Sequence, residues 1–61
     1  MMFSINKKMR VTGGEEYVIQ SINDDVITSV SVPTYKIKNI EDLKNEIVKF
    51  WNISKEDIII I

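Results

Sequence analysis

A chain of 61 residues with neither cysteine nor histidine has to be stabilised by one small hydrophobic core. Domains of this size commonly gain stability from disulfides, from structural zinc or from association with another chain. The composition excludes disulfides and zinc sites built on cysteine or histidine. Apolar residues make up 44% of the chain and charged residues 28%, which is typical of a folded domain. We therefore expect a single domain over residues 1–61 that forms a homo-oligomer.

The absence of histidine and cysteine also limits the chemistry open to this chain. Histidine is the most common general base, and the cysteine thiolate is an intrinsically strong nucleophile. We therefore expect a non-enzymatic protein without a cofactor. No apolar stretch approaches the roughly 20 residues of a membrane span, and no apolar segment of signal-peptide length follows the basic residues near the N-terminus. The expected location is the cytoplasm, with no membrane partner.

Residue usage indicates the kind of genome that encodes the chain. There are twelve isoleucines, seven lysines and five asparagines, against no alanine, one proline and two glycines. Isoleucine, lysine and asparagine have AT-rich codons, whereas alanine, proline and glycine have GC-rich ones. We expect a gene from a low-GC bacterium, or from a phage or plasmid that lives in one.

Alternation of apolar and polar residues predicts three strands in the first half of the chain. The first strand covers residues 2–11, the second residues 15–22 and the third residues 26–32. Pro33 ends the third strand, because proline has no N–H to donate to a sheet.

Short turns separate these three strands. Gly13 and Gly14 both tolerate positive φ, which predicts a two-residue type I′ hairpin with the glycines at its centre. Asn23 and Asp24 predict a second tight turn, because short side chains of this type bond to their own backbone. Both turns reverse the chain, so neighbouring strands should be antiparallel.

The second half of the chain predicts one amphipathic helix and one further strand. Asn39 is the predicted N-cap of a helix from about Ile40 to Asn52, with acidic residues in the first turn where the helix dipole favours them. Asn52 can end the helix because asparagine tolerates the left-handed conformation. Residues 58–61 form the last strand. The apolar stripe of the helix contains Ile40, Leu43, Ile47, Phe50 and Trp51.

The order β-β-β-α-β predicts an α+β fold, with a four-stranded, mostly antiparallel sheet and one helix packed on one face. The helix carries the chain back across the sheet, so the last strand should run parallel to the first and third strands. From the residues alone, either of these two strands could be its neighbour.

Residues 40–61 resemble the helix and the following strand of ubiquitin-like β-grasp domains. The similarity lies in the Ile-Glu-Asp-Leu-Lys-Asn-Glu-Ile segment at 40–47, the turn at 53–57 and the isoleucine pair at 60–61. It implies a sheet in which the last strand pairs with the first. The chain lacks the Pro-Pro pair of that turn and the terminal Gly-Gly used in conjugation, so the resemblance does not extend to conjugation.

A run of four isoleucines is the most informative segment for assembly. Alternate residues of a strand point to opposite faces of the sheet, so one pair should face the helix and the other pair the second face. The predicted residues of that second face are otherwise polar, among them Ser4, Lys8 and Ser29. We expect the second isoleucine pair to be buried against another copy of the chain; the alternative is a strand in the middle of the sheet. The predicted oligomer interface comprises Ile58, Ile59, Ile60 and Ile61.

Two groups of charged residues are candidate ligand sites. Lys7, Lys8 and Arg10 are candidate nucleic-acid contacts, although we favour a solvated strand whose lysines prevent edge-to-edge pairing. A second group, Asp24 and Asp25 with Glu15, could ligate Mg²⁺. Neighbouring strand residues point to opposite faces and an Asn-Asp-Asp turn needs no metal, so a structural role is the favoured interpretation there as well.

Size, composition and the lack of catalytic motifs predict a small non-enzymatic interaction protein. The expected class is a phage- or plasmid-type inhibitor of a host protein, similar to anti-restriction and anti-CRISPR proteins, which are often small and acidic. The alternative is an oligomeric nucleic-acid-binding module or a Mg²⁺-dependent DNA-nicking protein. The net charge of −1 counts against non-specific binding to nucleic acid.

Overall fold

The computed structural model describes residues 1–23 and 25–61, and it confirms the predicted α+β class. Its strands and helix are β1 (Met2–Met9), β2 (Glu15–Asn23), β3 (Val26–Pro33), α1 (Ile40–Trp51) and β4 (Ile59–Ile60). The four strands form one sheet in the order β3-β2-β1-β4. β2 is antiparallel to both of its neighbours, and β4 is parallel to β1. Single 3-10 turns at Thr34–Lys36 and Lys55–Asp57 flank the helix.

The last strand pairs with the first, as the resemblance to β-grasp domains implies. The Ile59 N–H donates to the Met1 carbonyl at 2.9 Å, and the Ile61 N–H donates to the Phe3 carbonyl at 3.0 Å. The chain therefore crosses from β3 at one edge of the sheet to β4 at the other. Because α1 makes this crossing, it lies over the two central strands, β1 and β2.

The first hairpin turn differs from the predicted one. The Gly13 N–H donates to the Arg10 carbonyl at 3.0 Å, and the Arg10 N–H donates to the Gly14 carbonyl at 2.9 Å. The turn is therefore centred on residues 11–12, and the type I′ prediction is wrong. Both glycines do have positive φ, 91° and 80°. A three-residue hairpin loop needs a left-handed residue after its turn, and this requirement explains the glycine at position 13.

The helix begins and ends where the sequence predicts. The Asp42 N–H donates to Asn39 Oδ1 at 3.0 Å, which satisfies one of the free amides of the first turn. Asn52 is in the left-handed conformation, with φ 53° and ψ 49°, and its N–H closes the last turn on the Val48 carbonyl. Local side-chain chemistry therefore sets both ends of α1.

The buried residues of the sheet lie on a diagonal. From the β4 edge to the β3 edge lie four buried apolar residues, each displaced by two positions from its neighbour. The first directly precedes β4, and the others lie in β1, β2 and β3. These residues are Ile58, Phe3, Ile19 and Val32. From the helix, Leu43 and Ile47 complete the core, and Trp51 packs edge-on against Phe3 with ring centroids 5.1 Å apart. The helix thus crosses the sheet obliquely and leaves two corners of this face uncovered.

Two residues of the predicted apolar stripe are outside the core. Ile40 and Phe50 are both about half exposed. At the end of the helix, Trp51 is the residue that contacts Phe3. Phe50 is roughly 100° away from it around the helix axis and lies at the exposed border of the stripe. Ile40 lies in the first turn, before the part of the helix that crosses the diagonal.

An ion pair connects the start of the helix to the segment before β4. Lys55 Nζ donates to Glu41 Oε1, and both side chains are largely exposed. This hydrogen bond, together with the positive charge of Lys55, lowers the pKa of the Glu41 carboxyl. The pair therefore stabilises the folded state only while Glu41 is ionised.

Alanine substitutions at two isoleucines of α1 should have very different effects. Ile47 is 0% exposed and Ile40 is 53% exposed. Ile47→Ala is expected to lower the free energy of unfolding by about 2–5 kcal/mol, because it leaves a cavity in the core. Ile40→Ala should change it by less than about 0.5 kcal/mol. Urea denaturation followed by circular dichroism measures both, and equal losses would contradict the oblique packing of the helix.

The Glu41–Lys55 pair predicts a specific pH dependence of stability. The folded-state pKa of Glu41 is below its ordinary value of 4.5, so the contribution of the pair is present above that value and is lost as the pH falls through the folded pKa. Glu41→Gln should therefore be less stable than the parent at neutral pH, and the difference should disappear in acid. Thermal midpoints across this pH range test it. Lys55→Gln should show the same convergence, and a constant difference at all pH values would refute the role of the pair.

Candidate interaction surface

The isoleucine run divides between the two faces of the sheet. Ile58 is buried, and Ile60 packs against the core on the face that α1 covers. Ile59 and Ile61 point to the other face, which we call the open face, and both are more than half exposed. The predicted division of the run into two pairs is therefore confirmed. Burial of Ile59 and Ile61 against another copy stays a prediction.

An apolar row crosses the open face from edge to edge. The strand registers place Ile27 beside Ile22, Ile22 beside Met2, and Met2 beside Ile59. We call these four residues the apolar row. Their exposed fractions run from 43% for Ile22 and Met2 to 71% for Ile27. Neighbouring strands are about 4.8 Å apart, so the row spans roughly 14 Å of sheet. Ile61, two positions from Ile59, extends it along β4.

A polar row lies directly beside the apolar row. Ser4 Oγ donates to Gln20 Oε1 at 3.5 Å, and Gln20 Nε2 donates to Ser29 Oγ at 3.4 Å. We call these three residues the polar row. Beyond it, Lys8 and Glu16 face each other across β1 and β2. The open face therefore has an apolar end and a mostly polar end, in which Val18 is the apolar residue of β2.

Sequence reasoning missed three of the four residues in the apolar row. It described the open face as polar apart from the isoleucine pair, whereas Met2, Ile22 and Ile27 are also apolar and exposed. Each of them lies near one end of its strand, and the next residue on the same face belongs to the polar row, so no single strand shows an apolar stripe there. The signal lay in the pairing register, because the second hairpin aligns Ile22 with Ile27 across β2 and β3.

The three candidate nucleic-acid contacts do not form one patch. Lys7 points to the helix side of the sheet, where its Nζ is 3.0 Å from Glu15 Oε2. The hydrogen bond and the charge of this carboxylate raise the pKa of Lys7. Lys8 points to the open face, opposite Glu16, and Arg10 closes the hairpin loop. Each lysine therefore has an acidic neighbour on its own side of the sheet.

The candidate metal ligands are also separated. Asp24 lies outside the described residues. Glu15 begins β2 and Asp25 follows the far end of the same strand. The strand covers eight residue steps at about 3.4 Å, so roughly 27 Å separate Glu15 from the strand end that Asp25 follows. Within residues 1–23 and 25–61, no three acidic side chains come together in a cluster that could hold a metal ion.

Comparisons with known proteins found no matching family model, no similar curated protein and no similar solved structure. In the part of the chain that the structure describes, no helix is both long enough and apolar enough to cross a membrane. The surface itself is therefore the basis for a functional proposal.

Removing part of the apolar row should reduce dye binding without unfolding the domain. The double variant Ile22→Thr/Ile27→Thr keeps β-branched residues in both strands and replaces exposed apolar surface with hydroxyls. We expect an unchanged circular dichroism spectrum and a clear loss of fluorescence from a hydrophobic dye. Ser29→Thr/Ser31→Thr is the matched control and should bind the dye as the parent does. Parent-level fluorescence in the first variant would show that the row is not the exposed apolar surface.

Proposed function

We propose that this protein is a non-enzymatic protein-binding module whose contact surface is the apolar row together with Ile61. The observation that carries the proposal is the continuity of the row, in which one exposed apolar side chain from each strand lies beside the next. Contiguous apolar surface on a small domain is typical of an interaction site, whereas single exposed apolar residues are ordinary.

The open face combines an apolar patch at one end with a polar border beside it, and protein interfaces likewise join apolar and polar parts. The polar row supplies hydroxyl and amide groups next to the apolar row, and Lys8 and Glu16 add charges of both signs farther out. A flat surface of this type suits the surface of another protein. Separated lysines with acidic neighbours give less support to the nucleic-acid alternative, since phosphate binding depends on converging positive charge.

The free energy gained by burying the apolar row and Ile61 limits the binding affinity that this surface can provide. Full burial of an isoleucine or methionine stabilises by about 1.5–3 kcal/mol. The five side chains are on average about half exposed, so covering them would contribute roughly 4–8 kcal/mol before costs. Association costs on the order of 4–15 kcal/mol. The apolar row can therefore anchor a partner, but the polar border or main-chain contacts must add to it.

The partner that we propose is a host protein, and the proposed class is the inhibitors that phages and plasmids carry, such as anti-restriction and anti-CRISPR proteins. The support is the small size, the AT-rich residue usage and the slightly acidic net charge. These features support the proposed source and class, while the apolar row supports the proposed contact surface.

Site-specific photocrosslinking in a host extract tests the proposal. A photoreactive residue placed at position 59 should crosslink to a protein other than a second copy of this chain, and the same residue at position 8, at the polar end of the open face, is the control. Binding of the purified partner should then weaken by at least about tenfold in Ile27→Thr/Ile59→Thr, corresponding to about 1.4 kcal/mol. Ser31→Thr should bind as the parent does.

Two results would contradict the proposed function. One is a partner whose affinity is the same for the Ile27→Thr/Ile59→Thr variant and for the parent. The other is a shift of plasmid or single-stranded DNA in a gel that depends on Lys8 and Arg10, which would favour the nucleic-acid alternative. Repeating the gel with and without Mg²⁺ distinguishes binding from nicking.

A further inference from the structure

β3 forms an unprotected edge of the sheet. Edge strands are commonly kept from pairing with other chains by charged residues, by short length or by bulges. β4, at the other edge, is two residues long, and the part of β1 beyond it carries Lys7 and Lys8. β3 has eight residues without a charge. Its register with β2 is continuous from Glu16↔Pro33 to Asn23↔Val26.

The hydrogen-bonding direction of each strand shows which groups of β3 are free to pair. Directly after β1, the Arg10 N–H donates to Gly14 on the β2 side, whereas the Phe3 carbonyl, within β1, accepts from Ile61 on the β4 side. Successive residues alternate between the two sides of a strand. Even-numbered residues of β1 therefore bond to β2, and odd-numbered residues bond toward the β4 edge.

The registers carry this alternation across the sheet to β3. The register aligns even-numbered residues of β1 with even-numbered residues of β2, so these residues of β2 form hydrogen bonds to β1. The odd-numbered residues of β2 form their hydrogen bonds to β3. These odd-numbered residues pair with even-numbered ones in β3, for example Tyr17 with Val32. The outward N–H groups of β3 therefore belong to Ile27, Ser29 and Ser31, and the outward carbonyls to these residues and Pro33.

The first half of β3 is exposed on its faces as well as its edge. Val26, on the helix side, is 64% exposed, because the oblique helix does not reach this corner of the sheet. Ile27, on the open face, is still more exposed. A strand added beside β3 would therefore cover apolar side chains in addition to satisfying backbone groups.

We propose that β3 pairs with β3 of a second copy of this chain. The two strands run antiparallel about a twofold axis at Ser29 and join the two sheets into one of eight strands. In this register, each Ser29 pairs with Ser29 of the second copy, and each Ile27 pairs with Ser31 of the second copy. Each pair exchanges two backbone hydrogen bonds, so every outward group of these three residues is satisfied. Pro33, which has no N–H, lies outside the paired segment.

The side chains support the same axis. The polar row ends at Ser29, whose Oγ accepts a hydrogen bond from Gln20 Nε2. Its hydroxyl hydrogen can donate to Ser29 of the second copy, which would continue the polar row across the axis. On the helix side, Val26 would lie beside Val32 of the second copy and Thr28 beside Val30. No charge opposes a like charge, which is the usual obstacle to pairing a strand with itself.

The proposed dimer leaves most of the surface of the proposed function uncovered, because only Ile27, at one end of the apolar row, borders the second copy. A twofold axis perpendicular to the sheet places both helices on one side and both open faces on the other. Ile27 of one copy is aligned with Ser31 of the second, so the two apolar rows are offset by four residues, or about 14 Å along the strands. The dimer does not depend on the proposed function, since it uses the strand edge instead of the open face.

A charge exchange at position 29 tests the pairing, because this residue meets itself at the axis. Ser29→Lys and Ser29→Glu should each weaken dimerisation by about tenfold or more, since each places like charges opposite one another. An equimolar mixture of the two variants should form a heterodimer. Ser4→Lys and Ser4→Glu, in the same row but on an inner strand, are the matched controls and should remain dimeric. Sedimentation equilibrium gives the masses, and circular dichroism confirms that each variant is folded.

Amide hydrogen exchange gives a second readout that depends on the backbone alone. The N–H groups of Ile27, Ser29 and Ser31 should exchange more slowly as the protein concentration rises. Those of Thr28 and Val30, which bond to β2, should be protected at every concentration. Exchange that slows with concentration only at alternate residues requires a second strand beside β3. It therefore supports the pairing separately from any loss of stability that the position-29 substitutions cause.

Three outcomes would overturn the inference. The first is a parent protein that stays monomeric at the highest concentration used for hydrogen exchange. The second is a mixture of Ser29→Lys and Ser29→Glu that remains monomeric. The third is a dimer that is insensitive to position 29 but is lost in Ile59→Thr/Ile61→Thr. In that case the open face would be the dimer interface, as the isoleucine run alone predicts.

Discussion

Burial of Phe3 beneath the helix is the contact on which the rest of this structure depends. Phe3 lies on a central strand, between Ser21 of β2 and Ile60 of β4, and Trp51 packs on its ring. It is one of the largest fully buried side chains of the domain. A core this small stabilises the fold only if its large residues are all in contact. The helix therefore has to lie where its Ile47 contacts Phe3 and Ile19 of the sheet. The oblique crossing follows from that requirement.

The oblique crossing also determines which surfaces stay exposed. The helix covers one face along a diagonal, so the corner at Val26 and the whole open face keep apolar side chains in contact with solvent. These exposed groups differ in direction. The side chains of the apolar row point away from the sheet, whereas the free backbone groups of β3 lie in its plane. A partner on the open face and a second copy at the β3 edge therefore share only Ile27, and substitutions at positions 59 and 29 test the two proposals separately.

Much of the fold is predictable from the sequence because its signals are local. Alternation identifies the strands, Asn39 and Asn52 set the ends of the helix, and Pro33 marks the end of β3. The order of these elements is sufficient for the fold class. The errors occur where a local signal has two structural solutions. The glycines at 13 and 14 suit either a two-residue or a three-residue hairpin loop, and the position of the turn depends on the register of the flanking strands. Phe50 and Trp51 are equally apolar, and only the position of Phe3 shows which one packs on the sheet.

The sequence by itself determined the class of fold, the bounds of the helix and the division of the isoleucine run between two faces. The resemblance of residues 40–61 to β-grasp domains implied that the last strand lies beside the first, and the structure confirms it. Only the tertiary structure decided that Lys7 and Lys8 have separate acidic neighbours, and that Ile27, Ile22, Met2 and Ile59 form one row. The physical reason is that a surface on a sheet is assembled across strands. Its neighbours are far apart in the chain, and the register that aligns them results from packing the core and closing the turns, which no periodicity within a single strand records.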